Sequence, residues 1–573
     1  MKINQKPVFI LLLILSILPT VLLLPADVMD IDSAQYAEIG REMTDSNQYL
    51  YLRDNGRKYL DKPIFTFWMV SASFKLFGQN NISFRLPSLL FALLSIYSIY
   101  QLVLLRSKRP LQGWLAALLY ASSPGLFSML VSPLIDIYLT SFLIFTHHAY
   151  YLARKKGNRN YFYLMYLFMG FGFITKGPIA IVIPCISIGV DLLIRRDIKG
   201  ILSMRIPEGI IITAILPLFW SYLLFQEFSW YGPHFFVIIQ SFGRFYSFIY
   251  NQKYDPLYFI KNFSWAFGLF ILPLIGYVWF KLRNDIQSAN SKNLVGALFT
   301  YVKSDKFRKS DFVIVLWLFL TLFLISFSKF QLPQYIYWIL PAGAIYMAEV
   351  LDRLFFDYTD NSLHRPPVQL RSWWFYVVPV ILVLVFISIP VLAFDFNKWD
   401  WLLYCVAILP VAMLFWPQAR KAIPTQMLLP LVVGISIHLS VSLLLYGKLI
   451  QYQPSSKIAK TVSQLEPNKE VLYKFMISNS QRSYAFYSKR YTRDIFRMDQ
   501  FDADLKADGE RLLILSAEGK EHFDNFTKGK YHLEVLEEHD SYKVSMPSQA
   551  FFNKKKRPNV LRKVYLAKVT FAK

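Results

Sequence analysis

Two stretches near the start of the chain place acids and bases where they could act on a phosphate ester. In Asp30-Ile31-Asp32-Ser33-Ala34-Gln35-Tyr36-Ala37-Glu38, two carboxylates precede an amphipathic segment whose Tyr36, Ile39 and Met43 share a face. In Tyr59-Leu60-Asp61-Lys62-Pro63, an acid stands beside a base at the head of another. Further on, Asp136 is alone among apolar neighbours, Lys176 falls at the Thr175-Lys176-Gly177-Pro178 turn, and Arg244 and Lys329 follow in Phe242-Gly243-Arg244-Phe245 and Ser328-Lys329. Ammonium and guanidinium groups neutralise a phosphate and stabilise it as it departs. A carboxylate within hydrogen-bond reach can take the proton of an incoming hydroxyl or amine. Together these groups suit glycosyl or phosphoryl transfer from a phosphate ester.

Each residue also has a plainer reading. Asp32 is well suited to cap a helix N-terminus, and Asp136 could do the same. Asp61 and Lys62 could be a surface ion pair ahead of an interfacial helix, with Pro63 in its first turn. Lys329 could snorkel toward headgroups. Taken singly these alternatives stay open, so the elements that position the residues have to be placed.

The chain has 573 residues, 55% of them hydrophobic and only 17% charged, against roughly a quarter charged in soluble globular proteins. That composition excludes an ordinary soluble enzyme and a disordered chain. Apolar runs long enough to span a bilayer begin with Pro7 to Pro25, read as an uncleaved signal anchor rather than a cleaved signal peptide because no A-x-A-like site follows. Others lie near 84–105, 111–131, 134–153, 160–175, 177–194, 208–226, 262–281, 312–328, 332–351, 373–394, 401–416 and 427–447, so about thirteen transmembrane helices are expected.

The formal net charge of +24 would suggest nucleic acid in a soluble protein. Its distribution points instead to topology. With the N-terminus inside, every inner connection is basic: Arg106, Lys108 and Arg109; Arg154, Lys155, Lys156 and Arg159; Arg195, Arg196 and Lys199; then Lys281 to Lys309, Arg353 to Arg371, and Arg420 with Lys421. This is the positive-inside pattern, and it leaves no nucleic-acid partner to propose. The first loop, 26–83, the connections carrying Asp136, Lys176, Arg244 and Lys329, and the tail then fall outside, so the acids and bases gather on one face. Ionisable groups at span ends are functional candidates.

The chain therefore divides into a polytopic α-helical membrane domain, 1–447, and a C-terminal extracytoplasmic domain, 448–573. In the latter, alternating runs at Glu470 to Met476, Arg511 to Ser516 and Tyr531 to Leu536 read as strands, and Ser455 to Leu465 as a helix, an α/β pattern. The closing Lys554-Lys555-Lys556-Arg557 run reads as a solvated face or as a contact with anionic lipid. Cys185 and Cys405 lie in apolar runs and suggest neither a disulfide nor a zinc framework.

As an ordered set, several motifs resemble the GT-C membrane glycosyltransferases, in the branch of the lipid A aminoarabinose transferases and protein O-mannosyltransferases. They are Asp30-x-Asp32-x-x-x-Tyr36-Ala37-Glu38-Ile39-x-Arg41-Glu42-Met43, Tyr59-Leu60-Asp61-Lys62-Pro63, and Phe77-Gly78 with Arg85-Leu86-Pro87, followed by the Thr175, Phe242 and Ser328 motifs and Leu332-Pro333 and Leu340-Pro341. The resemblance covers roughly residues 10–350. It implies an inverting transferase that takes a single sugar from polyprenyl phosphate at the periplasmic face of the bacterial inner membrane, with lipid A, a glycan or a protein as acceptor. By this resemblance Asp32 is the catalytic carboxylate, with Asp136 as second functional acid and Asp30 as a further candidate. Lys62, Lys176, Arg244 and Lys329 are the phosphate ligands, with Tyr36 and Asp61 beside them at the donor.

Two departures matter. Ser33 and Gln35 replace the Glu and Arg that often follow the first-loop Asp, and Gln240-Ser241 replaces a Glu-His pair, so no metal site is carried over. Asp61 beside Lys62 leaves a divalent metal open without supporting one. The alternatives are a ligase or polymerase moving whole oligosaccharides from lipid pyrophosphate, and a transporter or lipid flippase. The latter places polar groups at mid-membrane on paired repeats, whereas here they lie at span ends and no repeat is visible. Sugar and acceptor are not legible.

Overall fold

The structure is a computed structural model, and it describes residues 5–243, 254–268, 271, 310–356, 377, 381, 384, 388–478, 481–495 and 498–572. Apolar runs become helices along most of that length. α1 (Lys6–Leu22) leads to the first loop, which holds α2 (Asp32–Ser46), a two-stranded hairpin of β1 (Arg53–Asp54) and β2 (Arg57–Lys58), and α3 (Phe65–Phe77). Then follow α4 (Asn81–Ser107), α5 (Pro110–Ala121), α6 (Pro124–Val131), α7 (Ile135–Lys156) and α8 (Asn160–Lys176). Among the described residues four helices are long and apolar enough to cross a membrane, Asn81–Ser107, Ile206–Phe228, Lys398–Phe415 and Thr425–Ile450. α5 and α6, which meet at 49°, pass the same test as a bent pair. Pro124, at the head of α6 behind a Ser123 cap, cannot continue the α5 hydrogen-bond ladder, and the bend falls there. The expected spans at 262–281 and 373–394 fall largely outside the described residues.

α7 and α8 form an antiparallel hairpin that turns at Gly157, whose φ of 71° no side chain favours. At 22 residues α7 is about 33 Å long, one hydrocarbon thickness. The start of α7 and the end of α8 therefore share one end of the bundle, and the basic residues share the other. There the arginines are paired: Arg106 with Glu349 at 2.8 Å, Arg109 with Asp352 at 2.8 Å, and Arg195 with Asp191 at 2.8 Å.

The first loop is a buried element. Ser33, Tyr36, Ile39, Gly40 and Met43 of α2 are all buried, and Gly40 lets α3 approach so closely that a Cβ there would stand 2.4 Å from Val70 Cγ1. Arg85 of the Arg-Leu-Pro motif is fully buried and donates to the backbone carbonyls of Ala26 (2.6 Å) and Asp27 (3.1 Å), tying the loop to α4. α3 starts at Phe65 behind Ile64, so Pro63 precedes the helix instead of occupying its first turn.

The last part of the chain folds around a five-stranded sheet whose order is β4 (Tyr491–Asp494), β3 (Val471–Phe475), β5 (Glu510–Ser516), β7 (Arg562–Phe571) and β6 (Tyr531–Ser541). β3 is parallel to β4 and β5, while β7 runs antiparallel to both β5 and β6. Buried Tyr473, Leu513, Leu515 and Val569 form one face's core with Phe501 and Phe523 from flanking helices, and Leu472, Ile514 and Leu566 pack on the helix Ser455–Leu465 on the other.

Candidate functional site

Residues far apart in sequence meet at the end of the bundle away from the paired arginines. Lys176, the last residue of α8, places Nζ 2.5 Å from Oδ1 of Asp136 in the first turn of α7, and both side chains are nearly buried, 11% and 4% exposed. Trp338 donates its indole N–H to the same oxygen at 2.8 Å. The rings of Tyr335 and Trp338 stack at 4.6 Å, and the Lys176 ammonium stands over them at 5.3 and 5.2 Å. Cation–π attraction of this kind strengthens as water is excluded. Asp136 does not cap its helix; Leu134 holds that position without a side-chain bond.

Lys62 lies across from this pair with Nζ 2.5 Å from Asp61 Oδ2. The other Asp61 oxygen accepts from Gln240 Nε2. Asp61, beside Lys62, is the carboxylate that leaves a divalent metal open. One of its oxygens accepts from the ammonium and the other from the amide, and among the described residues no three His, Cys, Asp or Glu side chains gather as metal ligands.

Asp32 opens α2. It is not a cap, since Ile31 occupies that position and no side-chain cap bond forms. Its surface stays open to water. Yet burial among surrounding protein atoms raises its carboxyl above the usual range, Lys62 and Lys176 pull it back, and Asp61 and Asp136 push it up again. Solvent access together with desolvation describes a group on the wall of a concave cleft, and the four charges it feels are those that sequence reasoning named. Tyr36, one turn on, is buried against Phe67 with its hydroxyl held protonated by burial and by the Asp32 charge. The buried Tyr59 hydroxyl feels the charges of Asp61, Asp54 and Asp32 and has no hydrogen-bond partner among the described residues.

Asp30 is not brought into this group. Its carboxylate accepts from Ser483 N at 3.1 Å and from Ser483 Oγ, in the segment between β3 and β4. Burial holds its pKa up at about 7. Two residues of chain are enough to turn one carboxylate to the cleft and the other to the sheet. Neighbouring contacts complete this junction: Arg482 grips Asp54 through Nε at 2.8 Å and Nη2 at 3.0 Å, Gln35 of α2 donates to Asp54 at 2.8 Å, and Asn55 and Thr492 exchange bonds of 2.7 Å. Glu42 of α2 accepts from the backbone of Asn55 and Gly56, and burial, followed by the charge of Glu38, raises its pKa to about 7.

Lys329 lies exposed on the turn before Pro333–Ile339, and Arg244 lies outside the described residues. Sequence reasoning missed Trp338 and Tyr335, which look like span residues. It met Gln240 only as a departure from a family pattern.

Residues 61–225 match the family of dolichyl-phosphate-mannose-protein mannosyltransferases. Among individual proteins, the undecaprenyl phosphate-alpha-4-amino-4-deoxy-L-arabinose arabinosyl transferase of Serratia proteamaculans is 27% identical over 313 residues, 53% of this chain. The protein of the same description from Yersinia enterocolitica is 26% identical over 309 residues, again 53% of this chain. The chain spans about half the length of these relatives, 52% in each case. In fold, the crystal structure of ArnT from Cupriavidus metallidurans bound to undecaprenyl phosphate superposes with a TM-score of 0.71, covering 97% of both chains at 18% identity. Its apo form gives 0.69. The resemblance read from the motifs, to GT-C glycosyltransferases of the aminoarabinose transferase type, is thereby borne out, and the helical membrane fold is of that type.

Proposed function

We propose that this protein is a membrane glycosyltransferase that moves one sugar from a polyprenyl-phosphate donor to a lipid A, glycan or protein acceptor, with inversion at the anomeric carbon. The observation that carries the reading is the convergence of Lys62 and Lys176 around Asp32 at one end of the bundle. The relatives' names make an undecaprenyl phosphate-linked sugar the donor class to test first.

In this reading the lipid phosphate docks between the two lysines. Lys62 is held by Asp61, and Lys176 by Asp136 and two aromatic faces. The acceptor's hydroxyl or amine attacks the anomeric carbon on the side opposite the phosphate. Its proton passes to Asp32, while the bond between that carbon and the phosphate oxygen breaks and leaves polyprenyl phosphate. Charge grows on the departing phosphate, where the ammonium groups stabilise it most. Asp136 orients Lys176 and keeps it compact. Arg244 and Lys329 complete the proposed phosphate ligands. The site faces the periplasm, about thirteen helices cross the inner membrane, and the sheet domain, 448–573, lies on the outer side.

The test is reconstitution with donors labelled in the sugar, separating lipid products by thin-layer chromatography. Acceptor-dependent release of polyprenyl monophosphate is expected. Release of a pyrophosphate, or transfer of a whole oligosaccharide, would move the protein to the ligase reading. Lys62→Ala is expected to weaken donor binding and abolish transfer while the protein still inserts and folds, and unimpaired transfer would remove Lys62 from the phosphate site.

A further inference from the structure

The Lys554-Lys555-Lys556-Arg557 run takes no part in the cleft, but the fold gives it a definite place. A helix over 388–393 and the next, beginning at Lys398, are joined only by Phe394-Asp395-Phe396-Asn397, in which Asn397 caps the second helix and Asp395 is 99% exposed. A short polar turn between two apolar helices must lie where hydrocarbon gives way to water. Exposed Trp399 and Trp401, 63% and 48%, stand in the first turn that follows, as interfacial aromatics do. Lys448, near the end of Thr425–Ile450, reaches Asp395 O and Asp400 Oδ2, both at 2.9 Å, so a third helix ends at the same level.

The basic run is fastened to this corner. The Arg557 guanidinium lies over the rings of Phe394, Phe551 and Tyr452 at 4.5, 5.3 and 5.8 Å, and donates to the carbonyls of Ala393 and Phe551. Arg557 therefore acts as an anchor. Lys554 reaches Asp395 at 2.8 Å, and Lys555 and Lys556 beside it are exposed. Exposed Leu402, Val406 and Leu409 continue down the lipid-facing side of the second helix.

We propose that this corner binds an anionic phospholipid, its headgroup phosphate on Lys554, Lys555 and Lys556 with Lys398 alongside, and an acyl chain along Leu402, Val406 and Leu409. The Lys554–Asp395 pair is exposed and holds its lysine weakly, so a phosphate can share it. Three lysines near a membrane surface each favour an anionic lipid by about fivefold. The site rests on the membrane placement of these helices and is independent of the transfer reaction.

The experiment is native mass spectrometry of the full-length protein released from detergent containing equal phosphatidylglycerol and phosphatidylethanolamine. Wild type is expected to retain phosphatidylglycerol at least tenfold over phosphatidylethanolamine, and Lys554→Gln/Lys555→Gln/Lys556→Gln to bring the two close to parity. The corresponding triple Arg variant keeps the charge and should keep the preference. Phosphatidylglycerol should also shield Lys555 and Lys556 of the wild type from amine labelling, a measurement that needs no variant. An unchanged preference in the Gln variant, or no shielding, overturns the proposal. Displacement of the lipid by inorganic phosphate at the same concentration would mark a free-anion site and overturn it equally.

Discussion

Asp32→Asn is the most discriminating change, because the side chain keeps its shape and loses its negative charge and its ability to accept a proton. A positioned general base contributes about 10²–10⁴-fold, or roughly 3–5 kcal/mol of barrier, and the turnover number should fall by that amount. Donor binding should hold or tighten, since a negative charge facing Lys62 and Lys176 has been removed. Stability separates this outcome from a structural defect. Burial raises the folded-state pKa of Asp32 above its unfolded value, so the unfolded chain loses this proton first. Stability then falls as pH climbs from the unfolded to the folded pKa and is level beyond. Above its raised pKa the charged carboxylate is a cost to the fold, and there the Asn variant should melt at the same temperature as wild type or higher. The assay is single-turnover transfer from saturating lipid-linked donor, with donor binding and thermal unfolding measured on the same preparation. Wild-type turnover should also rise with pH through the raised pKa. Turnover within a few-fold of wild type, or a loss matched by a loss of donor binding, would refute the assignment of Asp32 as base.

Three further outcomes are expected. Trp338→Phe removes the indole donor from Asp136 and loosens Lys176; a hydrogen bond to a charged group is worth about 1.5–3 kcal/mol, so KM for the donor should rise about tenfold or more with a smaller change in kcat, and kinetics in which neither moves would detach Trp338 from the site. Gly40→Ala crowds Val70 at 2.4 Å and should cost about 1–3 kcal/mol by overpacking, with Val70→Ala restoring the melting temperature if that contact is the cause. Asp30 and Glu42, both raised to about 7, bind protons in the fold that the unfolded chain has lost. Wild-type stability should therefore decline between about pH 4 and 7 and level off above, and Asp30→Asn should flatten that slope measurably in melting curves taken across the range.

What could be read from the sequence follows the range of the interactions. Spans and strands declare themselves through local periodicity, and α4, Ile206–Phe228 and the strand at 510–516 lie within a few residues of the apolar and alternating runs. Asp32, Lys62, Asp136 and Lys176 could be named together because charge at the end of an apolar run is conspicuous. Trp338 and Tyr335 could not, because an aromatic residue in a span is ordinary until it is known to lie beside a lysine 160 or so positions earlier in the chain. Ser483 and Arg482 are less legible still, since they sit in a polar segment where nothing marks them as partners of Asp30 and Asp54.

Asp30 and Asp32 show why residue type and spacing stop short of role. Both are first-loop carboxylates desolvated by burial, and residue type and spacing offer both as catalytic candidates. Asp32 meets two ammonium groups that favour its ionised form, while Asp30 meets a serine hydroxyl and backbone N–H groups, with the Arg482 charge adding to them. In the proposed reaction the first takes its proton from the acceptor at the cleft. The second holds the sheet domain to the strand of chain that leads into α2, two residues from the cleft. A change in how Ser483 grips Asp30 is therefore carried into the position of Asp32 through the shortest of tethers, and Ser483→Ala should lower turnover without touching any group that contacts the donor. That loss should be accompanied by weaker protection of the α2 amides from hydrogen exchange, whereas unchanged exchange and turnover would show that the sheet domain and the cleft act separately.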